Sequence, residues 1–394
     1  MNRRRSTLAM SCLAHAVQDG MSATIYVLLP VLAQSLGLNL TQVGLFKGLK
    51  GFAQGILEVS SGPLSERFGD RNLLVAGLLF SGLGYLLFGL ADGPELVLAC
   101  LVIVGIGTAF QHAPASAQVS AAYQDGKRRG ALGLYNSSGD TGKLLFSASF
   151  SLTIGAGLAW QFTTTAFGLI CLVAALAIYR LLRPVGKHSA ENIDNASSEA
   201  SRWGILNRTG FSALLVVVTL DNMVQAAAAT FVAFLMLEKG YELYVAAMAA
   251  PVLLIGGIFG KAACGFLADR IGPRPAFALV QVLTAAGLAG IVIAPGITGW
   301  MLLPVTGVFL QGSTSITYSM VNDLVHPART SRGFALIYGL GSFGSVAGPA
   351  GAGLLGDVAS IDVAMYAMAG ASLIAILPSL WMKVGRAARE AKVV

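Results

Sequence analysis

The chain has 394 residues, of which 55% are hydrophobic and 11% charged, with a mean hydropathy of +0.72. Soluble domains carry roughly 25% charged residues, so this composition excludes a water-soluble globular chain. The formal net charge of +7 belongs to the placement of basic residues between apolar segments and does not point to nucleic acid.

A helix that crosses a bilayer needs about 20 mainly apolar residues. Read in chain order, hydropathy predicts twelve of them, at 7–36, 42–63, 72–91, 95–123, 129–155, 160–182, 209–237, 243–266, 275–294, 298–324, 332–356 and 360–383. Arg3, Arg4 and Arg5 ahead of the first resemble a signal peptide. Asp19 interrupts that apolar run, however, and the run continues to Leu36, too long for a signal core. An uncleaved first helix is expected. The hydrophilic stretch 184–207 reads as a linker between an N-terminal six-helix bundle, 1–183, and a C-terminal one, 208–394. The expected fold is an all-α membrane protein of two six-helix bundles. Cys12, Cys100, Cys171 and Cys264 fall in apolar segments without paired spacing. They read as packing residues, with no metal-ligand set and no cofactor expected.

Most of the 26 Lys and Arg residues fall on one side. They occupy the N-terminal tail, the linker, the C-terminal tail and the connections holding Arg67, Arg71, Lys127, Arg128, Arg129, Arg270, Arg274, Arg329 and Arg332, against Lys239 on the other side. Excess Lys and Arg mark the cytoplasmic face. Both termini and the linker are therefore expected in the cytoplasm, with the chain in a bacterial inner membrane.

The halves repeat. Gly62-Pro-Leu-Ser-Glu66-Arg67-Phe-Gly69-Asp-Arg71 recurs 203 residues later as Gly265-Phe-Leu-Ala-Asp269-Arg270-Ile-Gly272-Pro-Arg274. The same offset carries Arg129-Gly130 onto Arg332-Gly333 and Tyr135 onto Tyr338. Parallel repeats with a midplane site are one plan of secondary transporters. The two segments resemble the loop signature of the major facilitator superfamily, Gly-x-Leu-x-Asp-Arg-x-Gly-Arg-Lys. The first copy departs from it at Glu66 and Asp70. The resemblance implies a gating role for Gly62, Glu66, Arg67, Gly265, Asp269 and Arg270. Within the superfamily the chain is similar to fosmidomycin-resistance-type exporters, through His15-x-x-x-Asp19, Leu28-Leu29-Pro30, Gly105-x-Gly107, His112 and Gly356-Asp357-x-x-Ser360. It departs from that subgroup where His112-Ala-Pro114-Ala115 replaces His-Pro-Glu.

Charges inside spans are costly and face cavities. Here they are Asp19, Lys47, Lys50, Glu58, Asp140, Lys143, Asp221 and Lys261, joined by His15 and His112. At 1.5 Å rise per residue, Asp19, Asp221, Asp140 and His112 lie about 17–18 Å into their helices, and Lys50 and Lys143 about 20 Å. That brackets the middle of a core about 30 Å thick. Lys47, Lys50, Gly51, Gln54 and Glu58 form one stripe by their three-and-four spacing. Tyr135, Asn136, Asp140 and Lys143 share a second polar face. The facilitator fold implies that these helices line or wall a cavity. Candidate substrate-binding residues are Lys50, Lys47, His112, Lys143, Gln54, Tyr135, Gln311 and Tyr318. Candidate proton-coupling residues are Asp19, His15, Glu58, Asp140 and Asp221.

The expected function is secondary transport by alternating access, as a proton-coupled exporter of a small anionic or metal-chelating solute. Proton-coupled uptake of an organic anion stays open as the alternative. The pathway charges argue against a sensor or scaffold, and an enzyme is not expected. The expected partners are the small-molecule substrate, protons and the lipid bilayer, with the monomer as the working unit.

Overall fold

A computed structural model describes residues 3–123, 128–182, 203–326 and 330–382. The linker, the C-terminal tail and Lys127 and Arg329, on which part of the orientation argument rests, lie outside the described residues. So do the surroundings of Gly62 and the side chains of Glu66, Arg128, Arg129 and Arg332.

The first part of the chain forms α1 (Arg3–Leu36), α2 (Leu40–Phe68), α3 (Asp70–Phe88), α4 (Pro94–Ala109), α5 (His112–Ala122), α6 (Arg128–Gly155) and α7 (Trp160–Leu181). The second forms α8 (Arg208–Glu238), α9 (Leu243–Ala247), α10 (Ala249–Ile271), α11 (Pro273–Ile293), α12 (Gly296–Leu324), α13 (Thr330–Val358) and α14 (Ile361–Ser379). α4 with α5, and α9 with α10, each make one crossing segment, so the described helices supply twelve crossings. Eight are long and apolar enough by composition alone. The other four, α2, α6, α12 and α13, are 28 or 29 residues long but dilute their apolar content with Gly, Ser and the charges singled out above. Large apolar side chains point outward along the helices, as on α7 at Phe162, Leu169, Val173 and Leu176, which are 53–67% exposed. Such faces suit lipid, not water.

Three sequence expectations need correction. The fourth segment, expected as one helix over 95–123, breaks at Phe110 and Gln111. Pro114 stands in the first turn of α5 and has no N–H to continue the ladder of α4. The eighth breaks at Met248, and Pro251 stands at the matching place in α10. The repeated signature, expected on loops, lies mostly on helix: α2 runs on to Phe68 and α10 to Ile271. The turns that follow rest on Gly69 at φ 86° and Gly272 at φ 90°, left-handed conformations that only glycine adopts cheaply. The second glycine of the signature is thus the residue that turns the chain into α3 and α11.

The described residues divide into two compact units, within Met1–Lys187 plus Val232–Pro251 and within His188–Phe231 plus Val252–Val394. In the first unit α1 packs closely along α6. A Cβ added at Gly142 would collide with the Ala16 backbone, and one at Gly139 with the His15 ring. Small residues at such contacts let helix backbones approach in lipid. α9 also packs in this unit, where Ser151 Oγ donates to the Tyr244 carbonyl at 2.7 Å. In the second unit Gly344 and Gly348 of α13 meet the α8 backbone at Thr219 and Met223 in the same way. There the segment entering α8 is tied to the end of α12. Leu206 N donates to Leu324 O at 2.9 Å and His326 N to Gly204 O at 2.8 Å.

Candidate functional site

The close approach of α1 and α6 sets the site. His15, Asp19, Ser22 and Tyr26 follow three-and-four spacing, so they share one face of α1. Asp19 is 6% exposed. Lys143 Nζ of α6 lies 3.1 Å from its Oδ2 and 3.1 Å from Asp140 Oδ1. His15 Nε2 lies 3.3 Å from Oδ2, and His112 Nε2, on the first residue of α5, 3.8 Å from Oδ1. The His15 ring stacks on Tyr135 at 4.1 Å and its Nδ1 lies 2.8 Å from the Tyr135 carbonyl. Tyr135 is 1% exposed, a support beneath His15. The His112 side chain is 40% exposed and that of Lys143 30%.

The sequence reading held no metal-ligand set, because no local spacing suggested one. The folded chain brings three candidate ligands together. Ligand atoms of His15, Asp19 and His112 lie within 4.8 Å of one another. Two helices and a helix break assemble them, with His112 lying 93 positions after Asp19.

The α2 stripe adjoins this cluster through α1. Lys50, 2% exposed, donates to Ser22 Oγ at 2.7 Å and to Gln54 Oε1 at 2.8 Å. Gln54 Nε2 in turn reaches Glu58 Oε2 at 3.4 Å. Among the described residues no carboxylate lies within 4 Å of the Lys50 ammonium. Lys47, 6% exposed, has its Nζ 4.8 Å from the centre of the Tyr26 ring, an attractive cation–π contact. Lys47 is therefore a buried cation packed against α1.

In the second unit, among the described residues, no Lys, Arg or His nitrogen lies within 4 Å of the Asp221 carboxylate. It accepts from Gln225 Nε2 at 2.8 Å, Gln281 Nε2 at 2.7 Å and Ser313 Oγ at 2.8 Å. These donors come from α8, α11 and α12 and tie three helices together. The repeat offset of 203 pairs Asp221 with Gln18, not Asp19. Gln18 does a similar job, donating to Ser81 Oγ of α3 at 2.6 Å and Thr108 Oγ1 of α4 at 3.3 Å. Gln311 lies against Gly257 of α10. Tyr318 makes edge contacts with Phe334 and Tyr338 of α13 at 6.2 and 5.1 Å. Asp269 and Arg270 are exposed on the last turns of α10, with the Arg270 guanidinium 4.5 Å from the Phe266 ring. Arg67 sits likewise, 5.3 Å from the Phe68 ring.

Sequence reasoning missed Ser22, Tyr26, Gln18, Gln281 and Ser313. For Ser22 and Tyr26 the signal was available, since both continue the His15–Asp19 face.

The comparisons with known proteins agree with this architecture. The profile of the Major Facilitator Superfamily matches residues 11–313 and 255–393. The uncharacterized MFS-type transporter YfnC of Bacillus subtilis (strain 168) is 27% identical over 389 residues, covering 93% of this chain and 90% of that protein. Monocarboxylate transporter 13 of Rattus norvegicus is 27% identical over 322 residues, covering 79% and 73%. Among solved structures, a bacterial homolog of the human lysosomal transporter Spinster, inward-facing and unoccupied, superimposes with a TM-score of 0.81 at 16% identity, covering 97% of this chain and 98% of that one. That likeness concerns the fold alone. Twelve crossing segments, a polar cluster buried among apolar helices and the profile match together make this chain a multi-pass membrane transporter, not an enzyme, and a member of the major facilitator superfamily.

Proposed function

We propose that this transporter exports a small anionic solute across the bacterial inner membrane at the expense of the proton gradient, with both termini and the 184–207 linker cytoplasmic. The observation that carries the reading is Lys50, a buried ammonium held by a hydroxyl and an amide. A buried cation without a counter-charge costs several kcal/mol. A carboxylate, sulfonate or phosphonate arriving beside it offsets that cost. Lys47, one turn away, adds a second cation, and the partly exposed His112 and Lys143 offer further donors. Similarity to a monocarboxylate transporter supports an anion. The outward direction rests on the resemblance of His15, Asp19, Gly105 and His112 to fosmidomycin-resistance-type exporters.

Purified protein in liposomes, offered a panel of carboxylates, sulfonates and phosphonates with uncharged analogues, tests the anion. Lys50→Met should weaken binding of the preferred anion about tenfold to a hundredfold, the scale of one charged hydrogen bond, and leave thermal stability intact. Equal binding by wild type and Lys50→Met removes the basis of the reading. Direction is read separately in inside-out vesicles with an acid interior. Export coupled to protons appears as accumulation of the anion, uptake symport as its loss.

A further inference from the structure

We propose that His15, Asp19 and His112 bind a first-row transition-metal ion, Zn2+ or Co2+, through the two imidazole Nε2 atoms and a carboxylate oxygen of Asp19. Its ligands exclude Lys50 but share His112 with the proposed anion pathway, so its test reads metal binding and not transport.

Three observations converge. The first is spacing. A tetrahedral ion with bonds of 2.0–2.2 Å has ligand–ligand edges of about 3.4 Å. His15 Nε2 and His112 Nε2 stand 3.3 and 3.8 Å from the Asp19 oxygens, and all ligand atoms fall within 4.8 Å of one another. Small side-chain adjustments close that set around one ion. The second is tautomer. His15 Nδ1 faces the Tyr135 carbonyl at 2.8 Å, which can only accept, so Nδ1 carries the hydrogen. In the neutral ring the lone pair is then on Nε2, aimed at a carboxylate. A proton on Nε2 makes the ring an imidazolium that donates to Asp19; a metal ion bound between the Nε2 lone pair and the carboxylate takes that proton's place. A backbone carbonyl holding the far nitrogen is the usual outer support of a metal-bound histidine. The third is restraint. The His15 ring stacks on the Tyr135 ring and lies so near Gly139 of α6 that a Cβ there would collide with it, and the two imidazoles stand edge-to-face at 5.4 Å.

The surroundings also select the ion. The Lys143 ammonium, 3.1 Å from Asp19, and the amino-terminal end of α5 both oppose added positive charge. Ions held chiefly by charge, such as Ca2+ and Mg2+, lose most from that opposition. Imidazole favours Zn2+, Co2+ and Ni2+. Lys143 can keep its contact with Asp140 at 3.1 Å when a metal takes the Asp19 oxygen.

Co2+ reports the site by its visible ligand-field bands. The chain has four histidines, so His188→Gln with His326→Gln, in tag-free purified protein, leaves only His15 and His112. Titration of that protein with Co2+ should give tetrahedral-type bands saturating at one ion per chain. His15→Gln and His112→Gln should each weaken binding roughly a hundredfold. Lys143→Gln should tighten it about tenfold by removing the competing ammonium. Size-exclusion profiles identify any variant that fails to fold, and the Lys143→Gln arm decides the matter without the ligand variants. No such bands with Lys143→Gln at millimolar Co2+, or equal affinity across the folded variants, overturns the proposal.

Discussion

Asp19 and Asp221 stand at similar depth on the first helix of their repeats, and from sequence they read as a pair with one role. Their neighbours differ in kind. Asp19 is held by titratable and cationic groups, Asp221 by two amides and a hydroxyl. Removing an acceptor strands its buried donors at about 1–3 kcal/mol each. Asp221→Ala should therefore destabilise the protein by about 3 kcal/mol or more, read as a lower midpoint in thermal denaturation of the purified protein. Asp221→Asn, which keeps one carbonyl acceptor, should lose less. A midpoint unchanged in Asp221→Ala would mean the three-helix tie contributes nothing. The charges of the site were legible because a charge in an apolar run is conspicuous. Neutral partners such as Gln18, Ser22 and Gln281 were not, because one amide or hydroxyl in a span is common and only folding shows what it meets.

At the scale of elements, the contact between α1 and α6 both holds the first unit together and sets the Asp19–Lys143 distance. Gly142 has no room for a side chain against Ala16. Gly142→Leu should cost about 1–3 kcal/mol by overpacking and weaken anion binding with it, measured as thermal midpoint and affinity on the same preparation. Gly351→Ala on α13, where nothing lies within 4 Å of the added methyl, should change neither. The helices themselves were readable from hydropathy, several to within a few residues. Their interruptions were not. A proline in a span can kink a helix or break it, and the outcome at Pro114 and Pro251 depends on packing that a single sequence does not display. The signature segment misled in the opposite direction. Its Gly, Pro and charged residues read as loop, whereas capping by Gly69 and Gly272 lets α2 and α10 continue through it.

For the molecule as a whole, the proposal that both termini and the 184–207 linker are cytoplasmic rests on the basic residues between the spans. Ser197→Cys in the linker should react with a membrane-impermeant maleimide in inside-out vesicles and stay unlabelled in intact cells. Cys100, Cys171 and Cys264 are buried and Cys12 only partly accessible, so native background should be low. Labelling from outside would reverse the orientation. The two-bundle plan was legible because it rests on a repeat written twice in the chain. The convergence of His15, Asp19 and His112 rests on packing between distant segments and was not. One feature of that packing bears on how the protein moves. An unbroken helix acts as a push-rod, passing displacement at one end to the other through its hydrogen-bond ladder. Between α4 and α5 the rod is cut: Phe110 N turns back to Gly107 O, and the next ladder starts with Ala115 N on Gln111 O. Tilting of α4 in the surrounding lipid is thereby decoupled from the eleven residues that carry His112, so bilayer thickness should alter the protein's stability more than the geometry of its polar cluster.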